Sequence, residues 1–171
     1  MQEQVNSFTD ACKKIEEDSL YTAQAHFIAA KKWYRKSLWL VVIPSFIAGL
    51  SGLIVVAGGA PWVAAFAAIG GFIPAISAWL GVEKDSLRHE NAGKLFTALR
   101  HDAMMLRKVF KNAMPEDQSM KQLTDLHNKY SMLVQTQDLT DEESFNKARE
   151  NIKNNIFIYD FERNRLINNT K

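Results

Sequence analysis

The sequence predicts an all-α membrane protein: a two-helix transmembrane hairpin, entered by a long N-terminal helix and followed by a cytoplasmic C-terminal helical body. Three observations carry this. From Ser37 to Val82 there is no Lys, Arg, Asp, Glu or His. Gly58, Gly59, Ala60 and Pro61 divide that stretch near its middle. On either side of it, apolar residues recur at three- and four-residue steps among charged ones. A helix needs about 20 apolar residues to cross a hydrocarbon core of about 30 Å, so the uncharged stretch is too long for one crossing and sufficient for two. The chain divides accordingly into an amphipathic cytoplasmic helix at 1–36, the hairpin at 37–82 and a cytoplasmic helical region at 83–171.

In the first segment Phe8, Cys12, Ile15, Ala23, Phe27, Ala30 and Tyr34 form an apolar stripe of helical period, broken near Ser19. The helix is expected to run directly into the first span. The first thirty residues are polar and charged throughout, which argues against a cleavable signal peptide and makes the first span an uncleaved membrane signal. Cys12 has no second cysteine to pair with, so a reduced, partly buried thiol is expected.

The spans are placed at about 38–57 and 62–82, because a glycine pair followed by proline disfavours continuing a helix between them. Trp39, Trp62 and Trp79 stand near span ends, where indole rings favour the headgroup level. Lys31, Lys32, Arg35 and Lys36 precede the first span and Lys84 and Arg88 follow the second, while the turn carries no charge. The positive-inside rule therefore places both termini in the cytoplasm of a bacterial inner membrane, in a multi-pass arrangement with the turn outward. The basic cluster would also attract anionic lipid, to an extent that salt reduces.

Each span has a small and a large face. Ser45, Ala48, Gly49 and Gly52 lie opposite Ile43, Phe46, Ile47, Leu50 and Ile54. In the second span Ala67, Gly70, Gly71, Pro74, Ala78 and Gly81 lie opposite Ile69, Phe72, Ile73, Ile76 and Leu80. Small faces let backbones approach closely, so helices are expected to meet there, within the hairpin or between copies in a homo-oligomer. Pro44 and Pro74 each free a carbonyl and are candidate kinks or hinges. Ser45, Ser51 and Ser77 supply the only side-chain hydroxyls, either to line a weakly selective pore or to bond other helices. Coupled transport is disfavoured, because no ionisable side chain lies inside the bilayer.

After the membrane, Ala92, Leu95, Phe96, Leu99, Ala103, Leu106 and Phe110 mark one helix. Met114, Pro115, Glu116 and Asp117 end it and begin another with Met120, Leu123, His127, Tyr130 and Val134 at helical spacing. Thr140 and Glu143 have capping-box spacing and open a third helix with Phe145, Ala148, Ile152, Ile156 and Tyr159 along one face. The run Ile156 to Tyr159 also suits a strand.

Enzymatic chemistry is not predicted. His89 and Glu90 begin like a zinc-protease helix, but Gly93 stands where the second histidine is required. No catalytic motif, cofactor site or metal-ligand spacing emerges, and a net charge of +2 over 171 residues gives no nucleic-acid footprint.

Several of these residues fall in a familiar order. Ala25, His26 and Phe27 lead to Lys32, Trp33 and Tyr34, then to Pro44 and the stretch Ala48, Gly49, Leu50, Ser51. After the short turn and second span comes an exit helix with His89, Ala92, Phe96, Leu99 and Arg100. From Tyr21 to Arg107, about half the chain, this resembles the SLATT family of two-transmembrane effectors associated with bacterial nucleotide-synthesising and nucleotide-sensing conflict systems. The resemblance implies an oligomeric effector of antiphage defence that forms a pore in the inner membrane or disrupts it, causing abortive infection. It implies as trigger a nucleotide second messenger or a nucleotide-sensing or nucleotide-synthesising partner protein. It carries over no catalytic residue; His89 and Arg100 are its exit-helix positions. The alternative reading is a non-enzymatic membrane anchor that recruits a cytosolic partner through its helical tail.

Overall fold

The computed structural model describes residues 2–109 and 114–154. Among them are five helices and no strand: α1 (Gln2–Val56), α2 (Val63–Leu80), α3 (Val82–Lys108), α4 (Glu116–Thr136) and α5 (Glu142–Lys153). Phe110 and the ambiguous run Ile156 to Tyr159 lie outside the described residues.

The N-terminal helix and the first span are one continuous helix of 55 residues, with Pro44 inside it. No break occurs at Ser19. That residue is fully buried and in phase with Ile15 and Ala23, so the stripe continues through a small hydroxyl side chain that a purely apolar count misses. Its Oγ has no hydrogen-bond partner among the described residues.

α1 ends in a Schellman motif. Gly58 has φ 85°, its N–H donates to the Val55 carbonyl (3.1 Å), and the Gly59 N–H donates to the Ile54 carbonyl (2.9 Å). A left-handed residue is needed to close these two bonds, and glycine adopts it without a Cβ clash. α2 stops two residues earlier than the expected span, because Gly81 takes φ 70° and caps it, its N–H donating to carbonyls of Ser77 and Ala78. Gly81, expected on the small face, acts as a helix stop. α3 follows at once, with Glu83 and Asp85 in its first turn and Arg107 and Lys108 in its last, in the sense the helix dipole favours.

Two further expectations shift by one residue. The buried face of α4 is Ser119, Leu126 and Leu133 with half-buried Leu123 and Tyr130, whereas Met120, His127 and Val134 are exposed. Both sets have helical spacing, and only packing against α1 and α3 selects between them. The cap of α5 is Asp141, not Thr140: its carboxylate accepts from the Ser144 N–H (3.1 Å) and from the Ser144 hydroxyl (2.8 Å). An ionised acceptor at the positive helix end outcompetes a neutral hydroxyl.

By packing, the chain forms two compact units, Met1–Ile28 with Ala92–Lys171, and Ala29–Asn91. In the first, Phe8, Cys12, Ile15 and Ala23 of α1 meet Phe96, Leu99, Ala103 and Leu106 of α3 and Leu126 and Leu133 of α4 in one core. Burying a side chain such as Phe96 contributes about 1.5–3 kcal/mol. The His26 and Phe96 rings stack with centroids 5.8 Å apart. Arg107 donates through Nε (3.0 Å) and Nη2 (2.7 Å) to Glu16 Oε2, tying α3 to α1 at a half-buried position. Cys12 is a buried thiol within this core and forms no disulfide.

Candidate functional site

In the second unit α2 folds back against α1, and the contact is made by small residues. A Cβ placed on Gly70 would lie 2.5 Å from the Pro44 carbonyl oxygen and 2.9 Å from the Ala48 Cβ. Pro44, Ser51, Gly70 and Ser77 are buried there, with Ala48, Val55, Val63, Ala67 and Pro74 half-buried along the same faces. The stripes 44, 48, 51, 55 and 63, 67, 70, 74, 77 keep the period of a helix face. Toward the charged flank the approach stays close: the Ser86 hydroxyl donates to the Ala30 carbonyl (3.0 Å), and Ala29, Ala30 and His89 are buried.

The candidate small residues thus separate into two sets. Ala48, Ala67 and Gly70 hold the hairpin together. Ser45, Gly49, Gly71 and Ala78 are exposed, and a Cβ on Gly49, Gly52 or Gly71 would meet nothing within 4 Å. These outward positions sit one residue after the contact positions on each helix. Because the two helices run antiparallel, that same rotation turns both outward stripes to one side of the hairpin. Sequence reasoning missed three members, since Ala64, Ala68 and Ala75 are also exposed and continue the stripe with Gly71 and Ala78. The 4-3-4-3 spacing from Ala64 to Ala78 was the signal that could have found them. Of the three hydroxyls, Ser51 and Ser77 belong to the contact between α1 and α2 and only Ser45 faces out.

The rest of the outer surface is large and apolar. Every residue from Leu38 to Ile43 is exposed, as are Phe46, Leu53, Phe72 and Trp79, the last at 84%. A core helix of a soluble domain would cover such a face, and contiguous apolar patches of this extent do not persist in water. α2, with 18 residues, is about 27 Å long at 1.5 Å per residue, close to a hydrocarbon core. Both helices continue through their prolines, Pro44 and Pro74.

Charge collects at one end of this unit. Lys31, Arg35, Lys36, Lys84 and Arg88 are exposed. The Lys36 ammonium lies 4.6 Å over the Trp33 ring, and Arg88 pairs loosely with Asp85 at 3.7 Å. At the opposite end Trp62 packs edge-on against Phe66, with centroids 5.9 Å apart. His89 is buried in the second unit, and Arg100 is half-buried in the first. Among the described residues no group of three or more His, Cys, Asp or Glu side chains could hold a metal ion.

Among the described residues the protein is therefore all-helical, with two helices long and apolar enough to cross a membrane. Comparison with protein-family models, with curated proteins and with solved structures finds no match to it.

Proposed function

We propose that this protein is an oligomeric membrane effector of bacterial antiphage defence, whose hairpins assemble in the inner membrane into a pore or a lesion that ends growth of the infected cell. The observation that carries the reading is the hairpin's outer surface. It pairs a lipid-compatible face of large apolar residues with one continuous side of small ones, Ser45, Gly49, Gly52, Ala64, Ala68, Gly71, Ala75 and Ala78. In lipid, helices associate where small residues let backbones approach, so this side suits a second copy while Phe46, Phe72 and Trp79 suit acyl chains and headgroups. The basic end supports a topology with both termini cytoplasmic. The defence context and a nucleotide-linked trigger rest on the SLATT resemblance.

The test is membrane potential, followed with a voltage-sensitive dye in cells expressing the protein with and without a candidate partner system. Depolarisation by the natural chain that is lost in Gly71→Leu, with the variant still in the membrane, is the expected result. Gly71 is the position to use because its substitution meets no neighbour inside the hairpin. No depolarisation under any condition would favour the alternative, an anchor that holds a partner at the bilayer. That second reading draws on the folded core that α3 and α4 share with the N-terminal part of α1, a unit separate from the hairpin. Replacing the hairpin unit Ala29–Asn91 with an unrelated two-helix anchor, while keeping both parts of the first unit, separates the two: activity retained favours the anchor and activity lost favours the effector.

A further inference from the structure

The first unit contains a cavity of about 360 Å³ between α1 and α3, within the range of small-molecule sites. α3 lines it with Lys94, Thr97, Arg100 and His101, one face at i, i+3, i+6 and i+7, and α1 faces them with Gln24 and Phe27. No lining residue is acidic. The Phe27 ring is seated by a glycine: a Cβ on Gly93 would come within 2.8 Å of it, so only glycine lets the ring lie against the α3 backbone and form the cavity wall.

From this we infer a binding site for a small organic phosphate that carries a flat ring. An Arg guanidinium presents a fork of donors matched to phosphate oxygens and Lys adds a point charge, while the imidazole N–H and the Gln24 amide supply further donors. The Thr97 hydroxyl already donates to the Gly93 carbonyl (2.7 Å), which leaves its lone pairs to accept. The ring of the ligand finds an apolar surface at Phe27, where stacking adds to charge. All of these residues belong to one unit, so the inference does not depend on the membrane reading.

Calorimetric titration of the full chain in zwitterionic phosphatidylcholine nanodiscs tests it, with AMP, ribose 5-phosphate and adenosine as probes. AMP should bind saturably and at least tenfold more tightly than either fragment. Arg100→Ala and Lys94→Ala should each weaken AMP tenfold or more and Phe27→Leu several-fold, while Lys147→Ala, the same charge change at an exposed position of α5, leaves binding unchanged. Arg100→Lys should recover part of the loss, and circular dichroism checks that each variant stays helical. Absence of saturable AMP binding overturns the site. So does equal weakening by Lys147→Ala, or adenosine binding as tightly as AMP.

Discussion

The two units use helices in opposite ways. In the unit built from Met1–Ile28 and Ala92–Lys171, large side chains such as Phe96, Leu106 and Leu126 point at neighbouring helices, and Lys94, Lys108 and Lys129 are exposed. In the unit Ala29–Asn91, small residues make the contact and large ones such as Phe46, Phe72 and Trp79 face outward. Water rewards the first arrangement because burying apolar area drives helices together. Lipid removes that drive and leaves close packing of small residues as the source of association, which is the second arrangement. The second unit thus has the pattern expected of helices in lipid, in keeping with two helices long and apolar enough to cross a membrane.

The contrast breaks most visibly through phenylalanine. Phe96→Ala removes a ring that is 1% exposed and should cost about 3–5 kcal/mol, whereas Phe72→Ala removes one that is 69% exposed and should change stability in detergent by less than about 1 kcal/mol. Thermal unfolding followed by circular dichroism compares them, and equal losses would mean that Phe72 is covered. Within the hairpin, adjacent glycines make the next comparison. Gly70→Leu forces a side chain against Pro44 and Ala48 and should destabilise by about 1–3 kcal/mol or more, whereas Gly71→Leu should leave monomer stability unchanged and act only on assembly. Crosslinking in the membrane reads the assembly and detergent melts read the fold; a Gly70→Leu melt like the natural chain would refute the assigned contact.

A smaller effect is expected at the ion pair. Arg107→Met leaves the Glu16 carboxylate half-buried without its donor and should cost about 1–3 kcal/mol, while the double change with Glu16→Leu should recover part of that loss. A denaturant series on the four-protein cycle measures the coupling. The smallest effect concerns Tyr130, whose phenol is pushed above its ordinary value by burial and then by the Asp18 charge. The folded state thus holds this proton more tightly than the unfolded chain. Its contribution is complete below about pH 10 and is lost as the pH rises through the folded value. Tyr130→Phe should show a smaller fall in melting temperature from about pH 10 to pH 12 than the natural chain, and parallel curves would mean that the phenol is not perturbed.

Much of this contrast was readable along the chain. The uncharged run from Ser37 to Val82 marks the two apolar helices, and the Gly58 and Gly59 pair marks the point where α1 ends. Phe8, Cys12, Ile15, Ala23, Phe96, Leu99, Ala103 and Leu106 were all legible as buried positions from period alone, and all of them enter one core. What was not legible came down to rotations of about 100° about a helix axis. On α4 the stripes through Met120 and through Ser119 have the same period, and in the hairpin both Gly70 and Gly71 belong to a small face. The cavity beside Phe27 was invisible too, since its residues come from α1 and α3, separated in sequence by the whole hairpin.

Local chemistry thus settled what each segment is. Charge-free length made α2 and the C-terminal part of α1 apolar enough to span, glycines at positive φ ended α1 and α2, and apolar spacing made the amphipathic helices. These properties depend on near neighbours in the chain, whose side chains and backbone bonds act within a few residues. Tertiary structure alone decided which of two adjacent faces each helix buries, that Gly70 closes the hairpin while Gly71 is left outside, and that Lys94, Arg100 and Phe27 converge on one cavity. Those outcomes rest on steric fit between helices distant in sequence, and a periodic pattern specifies a face only to within a residue or so, which packing then resolves.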